Sequence, residues 1–214
     1  MGTVQKVEVF VFYFDLSGVV ARYLSDGQRT LDRLRAFQRQ ARAAFNFSRR
    51  HSFVATLYDN IWARINVAQP STPSLVLDFA GNVMRLAMGH GFPTFFGCIT
   101  RGWHDYDPDD RIVVAKDSFE DLTELHLDIT SEPHVRAAMA EKWAKRSARA
   151  AGVVWVSSEV AGSDSLAAMA TFADSAFQPA GDWFDIHVFD ESPRQIWPFA
   201  QSRFHAIRAS SSAQ

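Results

Sequence analysis

The chain has 214 residues, 47% of them hydrophobic and 21% charged, with a net charge of −2. That is the composition of a folded domain with a sizeable core, and it gives no electrostatic basis for binding nucleic acid or an anionic membrane surface. No run of about 18 apolar residues marks a transmembrane span and no basic-then-apolar leader marks a signal peptide, so a cytoplasmic location with no membrane partner is expected. Residues 5–14 are rich in Val, Phe and Tyr and predict a strand buried on both faces. After Gly18, the spacing of Val19, Val20, Tyr23 and Leu24 predicts a helix that Gly27 breaks. From Thr30 to Phe47 a second stretch carries Leu31, Leu34, Phe37, Ala41, Ala44 and Phe45 at helical spacing, with Arg33, Arg35, Arg39 and Arg42 on a solvated face.

His51 to Val67 reads as two strands joined by a tight turn at Asp59-Asn60. After Pro70 and Pro73, a helix from about Leu75 to Met88 is expected to put Leu75, Phe79, Val83, Leu86 and Ala87 on one side, ended by Gly89 and Gly91. Thr94 to Gly102 predicts a strand in which Cys98, the one cysteine, is a small buried hydrophobe. "WHDYDPDDR" predicts a solvated acidic turn, where His104 lacks a second histidine at ligand spacing. Residues 112–132 suggest a short strand and an irregular insertion. Glu132-Pro133 opens a helix to about Arg149, and "VVWVS" after Gly152 is a strand. Residues 163–176 are weakly helical, "DWFDIHVFD" is the last clear strand, and 207–214 is a frayed tail. The order of elements predicts an α+β fold, a ferredoxin-like βαββαβ palm with helices on an antiparallel sheet. One domain is expected over 1–214, its core spanning about 5–190, with extra C-terminal elements.

Two acids stand out. Asp15 ends the first strand and Asp59 sits on the hairpin. Singly, each reads as a helix cap or a turn former. Together, at the ends of strands that neighbour each other in this fold, they make a site for Mg²⁺ or Mn²⁺, which take hard oxygen ligands and complete their shells with phosphates and water. The Leu16 carbonyl is a further candidate ligand, and the amides from Ser17 to Val20 open a helix and can hold a triphosphate. Gly18 permits close backbone approach. Ser17 lacks the frame of a nucleophile elbow. His51, His126, His134, His187 and His205 carry no triad order, and no P-loop is present.

"FYFDLSGVV" resembles the first metal motif of class III nucleotidyl cyclases, "FVATLYDNIWARI" their second, and "FFGCITRG" the later strand ending in a Gly-containing turn. The blocks cover roughly the first half of the chain, and their spelling is most similar to the pyrimidine cyclases of bacterial Pycsar antiphage defence. The resemblance implies a homodimer with active sites at the subunit interface and two Mn²⁺ or Mg²⁺ ions per site. It assigns the metals to Asp15, the Leu16 carbonyl and Asp59, so that Asp15 and Asp59 are also the candidate catalytic acids. Arg101, at a strand end near the proposed site, is a further catalytic candidate, and Phe12, Ser17, Gly18, Val19, Val20, Ala55 and Tyr58 are the candidate nucleotide contacts. The implied substrate is a pyrimidine nucleoside triphosphate, UTP ahead of CTP. The implied product is a 3′,5′-cyclic nucleotide that activates a separate effector.

Three departures qualify it. Ala55 stands where purine-specific members carry a base-reading Lys, and Tyr58 stands where a Gly is usual; both favour a pyrimidine base. The family's transition-state Asn and Arg on the late helix are not evident. Arg136, Lys142 and Arg146 are the nearest cations there, each with the pattern of a solvent-facing residue, and Arg101 is the better candidate for phosphate. The alternatives are a catalytically degenerate nucleotide-binding or dimerisation module and a purine cyclase. Leu57-Tyr58-Asp59-Asn60 lacks the hairpin signature of a diguanylate cyclase.

Overall fold

The structure, a computed structural model, describes residues 5–47, 52–67, 72–106, 131–146, 152–157, 160, 177–186 and 202–209. Ten elements follow in order: β1 (Gln5–Leu16), α1 (Val19–Ala43), β2 (Phe53–Leu57), β3 (Asn60–Asn66), α2 (Thr72–Gly89), β4 (Phe95–Tyr106), α3 (Glu132–Arg146), β5 (Val153–Ser157), β6 (Phe177–Ile186) and β7 (Ser202–Ala209). The strands form one sheet in the order β2-β3-β1-β4-β5-β7-β6. Its first four strands, with α1 and α2, are the expected antiparallel βαββαβ palm. β5 joins it in parallel to β4, and β7 and β6 extend it antiparallel.

β1 is central and buried on both faces, which is why its sequence runs apolar without a clean alternation. Phe10, Phe12, Phe14 and Leu16 point into the larger core, under α1 and α2, with Leu34, Phe37, Phe79 and Val83. Val7, Val9, Val11 and Tyr13 point the other way, onto Ala137, Ala140 and Ala144 of α3. Side-chain alternation therefore puts Asp15 on the α3 face, at the last turn of the strand before the chain leaves the sheet. Gly97, opposite Phe14 in β4, is required by packing: a Cβ there would lie 2.6 Å from Val154 Cγ2 and 3.2 Å from Phe14 Cδ2.

Several expectations need correction. The hairpin turn is Tyr58-Asp59, one residue earlier than expected, since Leu57 pairs with Asn60. In α2, Val76 rather than Leu75 faces the core; Leu75 is exposed. β4 does not end at Gly102 but continues to Tyr106, so Gly102 lies inside a strand and Trp103 to Tyr106 are not a turn. His104 is buried there, with Arg64 donating to its Nε2. A seventh strand, β7, was not expected, and it takes in residues 207–209 of the supposed tail. Gly27 does interrupt α1, at φ 44° and ψ −118°, and Arg35, Arg39 and Arg42 are exposed. The expected insertion at 112–130, the helix end at 147–149, the helix at 163–176, the strand beyond 186 and the tail from 210 lie outside the described residues.

Candidate active site

β1 and β3 run antiparallel with Asp15 opposite Asn60. The hairpin tip is tied to β1 by the Leu16 N–H, which donates to the main-chain oxygen of Asp59 at 3.0 Å. The two acids that the sequence singles out are thus held at one end of one strand pair. Asn60 Nδ2 donates to Asp59 Oδ1 at 2.8 Å, and Tyr13 OH donates to Asn60 Oδ1 at 2.5 Å. This chain of bonds fixes the Asp59 carboxylate from the buried side.

Burial raises the pKa of Asp15 most, and the charges of Asp59 and Glu141 raise it further; the hydrogen bond and charge of Lys145 oppose them. Burial also raises Asp59, against its own backbone hydrogen bond and the Lys145 charge. Burial and the charge of Asp15 push the Tyr13 phenol far above its ordinary range, so it is a permanent donor here. Two carboxylates that repel each other in a partly dry corner are a poor arrangement for structure alone and a good one for a cation. A cation already stands there. Lys145 Nζ of α3 lies 2.5 Å from Asp15 Oδ2 and also pairs with Glu141.

The remaining residues divide. Gly18 precedes α1 at φ 77° and ψ 14°, a left-handed conformation suited to glycine, with nothing within 4 Å of a Cβ placed on it. Ser17 N–H donates to Thr94 O at 2.8 Å, so this amide is spent on the fold, unlike the amides expected to follow it. Val19 is buried and Val20 exposed, and their first-turn amides have no intrahelical partner. Ala55 pairs with Trp62, which pairs with Tyr13, so Ala55 shares the face that carries Asp15. Tyr58 adjoins Asp59 and is exposed.

Two expected site residues are placed elsewhere. Phe12 is fully buried on the opposite face, against Phe14 and Phe79, where no nucleotide reaches it. Arg101 pairs with Phe10, five residues down β1 from Asp15, and faces the α1/α2 side. It forms an ion pair with Glu8 at 2.8 Å and lies over the Phe10 ring. Of the cations expected on the late helix, Lys142 is exposed, whereas Arg136 is buried at the far end of α3, donating to Arg101 O. Lys145 and Glu141, which do reach the site, were missed. Their signal was the small-residue seam Ala137, Ala140, Ala144: positions 141 and 145 adjoin it at an i,i+4 spacing.

Asp15, Asp59 and the Leu16 carbonyl offer the hard oxygen donors that Mn²⁺ or Mg²⁺ prefers. Among the described residues, no three His, Cys, Asp or Glu side chains are arranged to hold a metal ion by themselves, so water or substrate would complete the shell. Cys98 is fully buried, and burial pushes its thiol pKa up, which suits an inert core position. No described helix is long and apolar enough to cross a membrane.

No family profile matches the sequence, and no curated protein matches it. Solved structures do match its fold. The guanylyl cyclase Cya2 superposes with a TM-score of 0.59 at 9% identity, covering 100% of this chain and 98% of that one. The adenylyl cyclase CyaB from P. aeruginosa gives 0.56 at 12% identity, covering 100% of both chains. The guanylate cyclase domain of RhGC from Catenaria anguillulae, solved with GTP, gives 0.51 at 9% identity over 96% of this chain and 99% of that one. At such identities the likeness shows a shared fold, that of these cyclase domains.

Proposed function

We propose that this chain is a metal-dependent nucleotidyl cyclase that acts on a pyrimidine nucleoside triphosphate, UTP ahead of CTP. The observation that carries the reading is the convergence of Asp15, Asp59 and the Gly18 helix start at one end of β1, within a fold shared with solved cyclase domains. In the reaction the ribose 3′-oxygen bonds to the α-phosphorus and loses its proton to solvent. The bond from the α-phosphorus to the oxygen bridging it to the β-phosphate breaks, and pyrophosphate leaves. A pair of bound Mn²⁺ or Mg²⁺ ions supplies a lowered hydroxyl pKa and neutralises phosphate charge. Asp15, Asp59 and the Leu16 carbonyl hold the ions. The amides of Gly18, Val19 and Val20 hold phosphate oxygens. Tyr13 and Asn60 keep Asp59 oriented.

The pyrimidine preference rests on two residues. Ala55, on the site's face of β2, has no group to donate to a purine, and Tyr58 adds bulk at the hairpin tip. The purine reading is favoured by a different observation: the matching solved structures are adenylyl and guanylyl cyclases. The chain works as a homodimer in this reading, and its product serves as a second messenger for a separate effector in antiphage defence. Incubation with all four triphosphates and Mn²⁺, with products identified by mass, decides among the readings. Cyclic UMP or cyclic CMP as the main product is expected; cyclic AMP or GMP would establish the purine reading, and no cyclic product the degenerate one.

A further inference from the structure

α3 approaches the sheet closely because its buried seam is made of alanines, Ala137, Ala140 and Ala144. The closeness brings the last turn of the helix over the end of β1. There Lys145 bridges two acids, Asp15 across the gap at 2.5 Å and Glu141 one turn back along its own helix. The three differ in freedom. The Asp15 side chain is 8% exposed and Glu141 14%, while Lys145 is 45% exposed. The acids are fixed and the ammonium, on a four-carbon stem, is the member that can leave. Asp15, Asp59, Glu141 and Lys145 together carry two net negative charges, which one divalent ion balances. A dication and an ammonium compete for the same carboxylate.

We propose that Lys145 is a displaceable counter-ion of Asp15: it neutralises the acid when no metal is bound, yields to an arriving divalent cation, and stays beside the site on Glu141. The proposal rests on the reading that Asp15 and Asp59 hold the metal. Lys145 then acts as a positioning residue, keeping two repelling acids in place before metal arrives and setting the metal concentration at which the site fills.

The test uses the full chain and Mn²⁺ alone, without nucleotide, at pH 8, with free Mn²⁺ followed by electron paramagnetic resonance. Lys145→Met should bind Mn²⁺ about three- to tenfold more tightly than wild type, the range expected for removing a competing ion pair of this exposure. Lys145→Gln is the second neutral variant should the first fold poorly, and Lys145→Arg should stay near wild type. Asp15→Asn should weaken binding at least about tenfold. Unchanged or weaker Mn²⁺ binding in Lys145→Met and Lys145→Gln, with Asp15→Asn still impaired, overturns the competition alone. Full Mn²⁺ affinity in Asp15→Asn overturns the metal reading and the proposal with it.

Discussion

The main-chain oxygen of Asp59 accepts a hydrogen bond from the Leu16 N–H, one residue beyond Asp15. The bond is made by backbone, so it survives substitution of either acid. Asp15→Asn and Asp59→Asn are therefore clean probes of chemistry. Each should lower pyrophosphate release by about a hundredfold or more, because a metal ligand is lost. Each should leave the melting temperature equal or higher, since an acid whose ionised form burial disfavours is replaced by a neutral group of the same shape. Equal pyrophosphate release by wild type and Asp59→Asn would falsify the metal-cyclase reading.

Tyr13→Phe removes the hydroxyl that anchors Asn60, and through it the Asp59 carboxylate. The stability cost should be about 1 kcal/mol, the ordinary net value of one buried hydrogen bond. A structural role alone would stop there. A positioning role adds a several-fold rise in the Mn²⁺ concentration needed for half-maximal activity, with saturated activity less affected. A stability loss with an unchanged Mn²⁺ requirement would assign Tyr13 to packing only.

What the sequence made legible follows from locality. The palm was readable because β1, the hairpin and α1 each carry their own periodicity, and Asp15 and Asp59 sit at element ends that a βαββαβ order brings together. Register was not readable, because it depends on pairing between distant segments. Arg101 shows the consequence. The sequence pattern ends its strand at Gly102, which places Arg101 near a tip; β4 runs to Tyr106, and pairing with Phe10 turns Arg101 to the other face. Phe12 fails on the same parity, two residues from Phe10. β7 escaped because "SRFHAIRA" mixes charged and apolar residues too evenly to signal a strand, and it exists through pairing with β5 and β6. Lys145 escaped because its i,i+4 spacing to Glu141 is common on any solvated helix, and only the docking of α3 shows that it meets Asp15.

Tyr58 adopts φ 53°, the left-handed conformation a glycine would take without strain. Tyr58→Gly should therefore stabilise the chain by about 0.5–1 kcal/mol, raising the melting temperature by roughly 2–4 °C at most. If the ring restricts the base pocket, the same variant should also accept purine triphosphates better. Combining it with Ala55→Lys should increase that gain. Higher stability with unchanged base preference would show that Tyr58 does not read the base.

Gly97→Ala should destabilise by about 1–3 kcal/mol, as expected for a methyl group driven into a packed core. The added Cβ meets Val154 Cγ2 at 2.6 Å from one side and Phe14 Cδ2 at 3.2 Å from the other. Both are side chains of central strands with little room to move. Val154→Ala in the same background should recover part of the loss, and denaturant titration of the three variants measures it. A neutral Gly97→Ala would mean that β4 and β5 can shift apart at this point.

The raised carboxylate pKa values give a pH signature of definite sign. Asp15 and Asp59 both titrate above their ordinary 3.8 when folded, so the folded chain holds these protons more tightly than the unfolded one. Their contribution to stability is present below that ordinary value and is lost as pH rises through the folded pKa. Lys145, raised above 10.5 because its bonds to Asp15 and Glu141 outweigh the lowering by burial, keeps its contribution throughout that range and loses it only at strongly alkaline pH. Metal binding has the opposite slope, since it needs the ionised acids. Between roughly pH 4 and pH 7, the metal-free melting temperature of wild type should fall relative to the Asp15→Asn/Asp59→Asn double variant. Over the same interval the increase in melting temperature caused by Mn²⁺ should grow in wild type and stay near zero in the double variant. Melting curves with and without Mn²⁺ across that interval provide the comparison. Parallel wild-type and double-variant curves would mean that neither acid is perturbed and that the ion does not bind them.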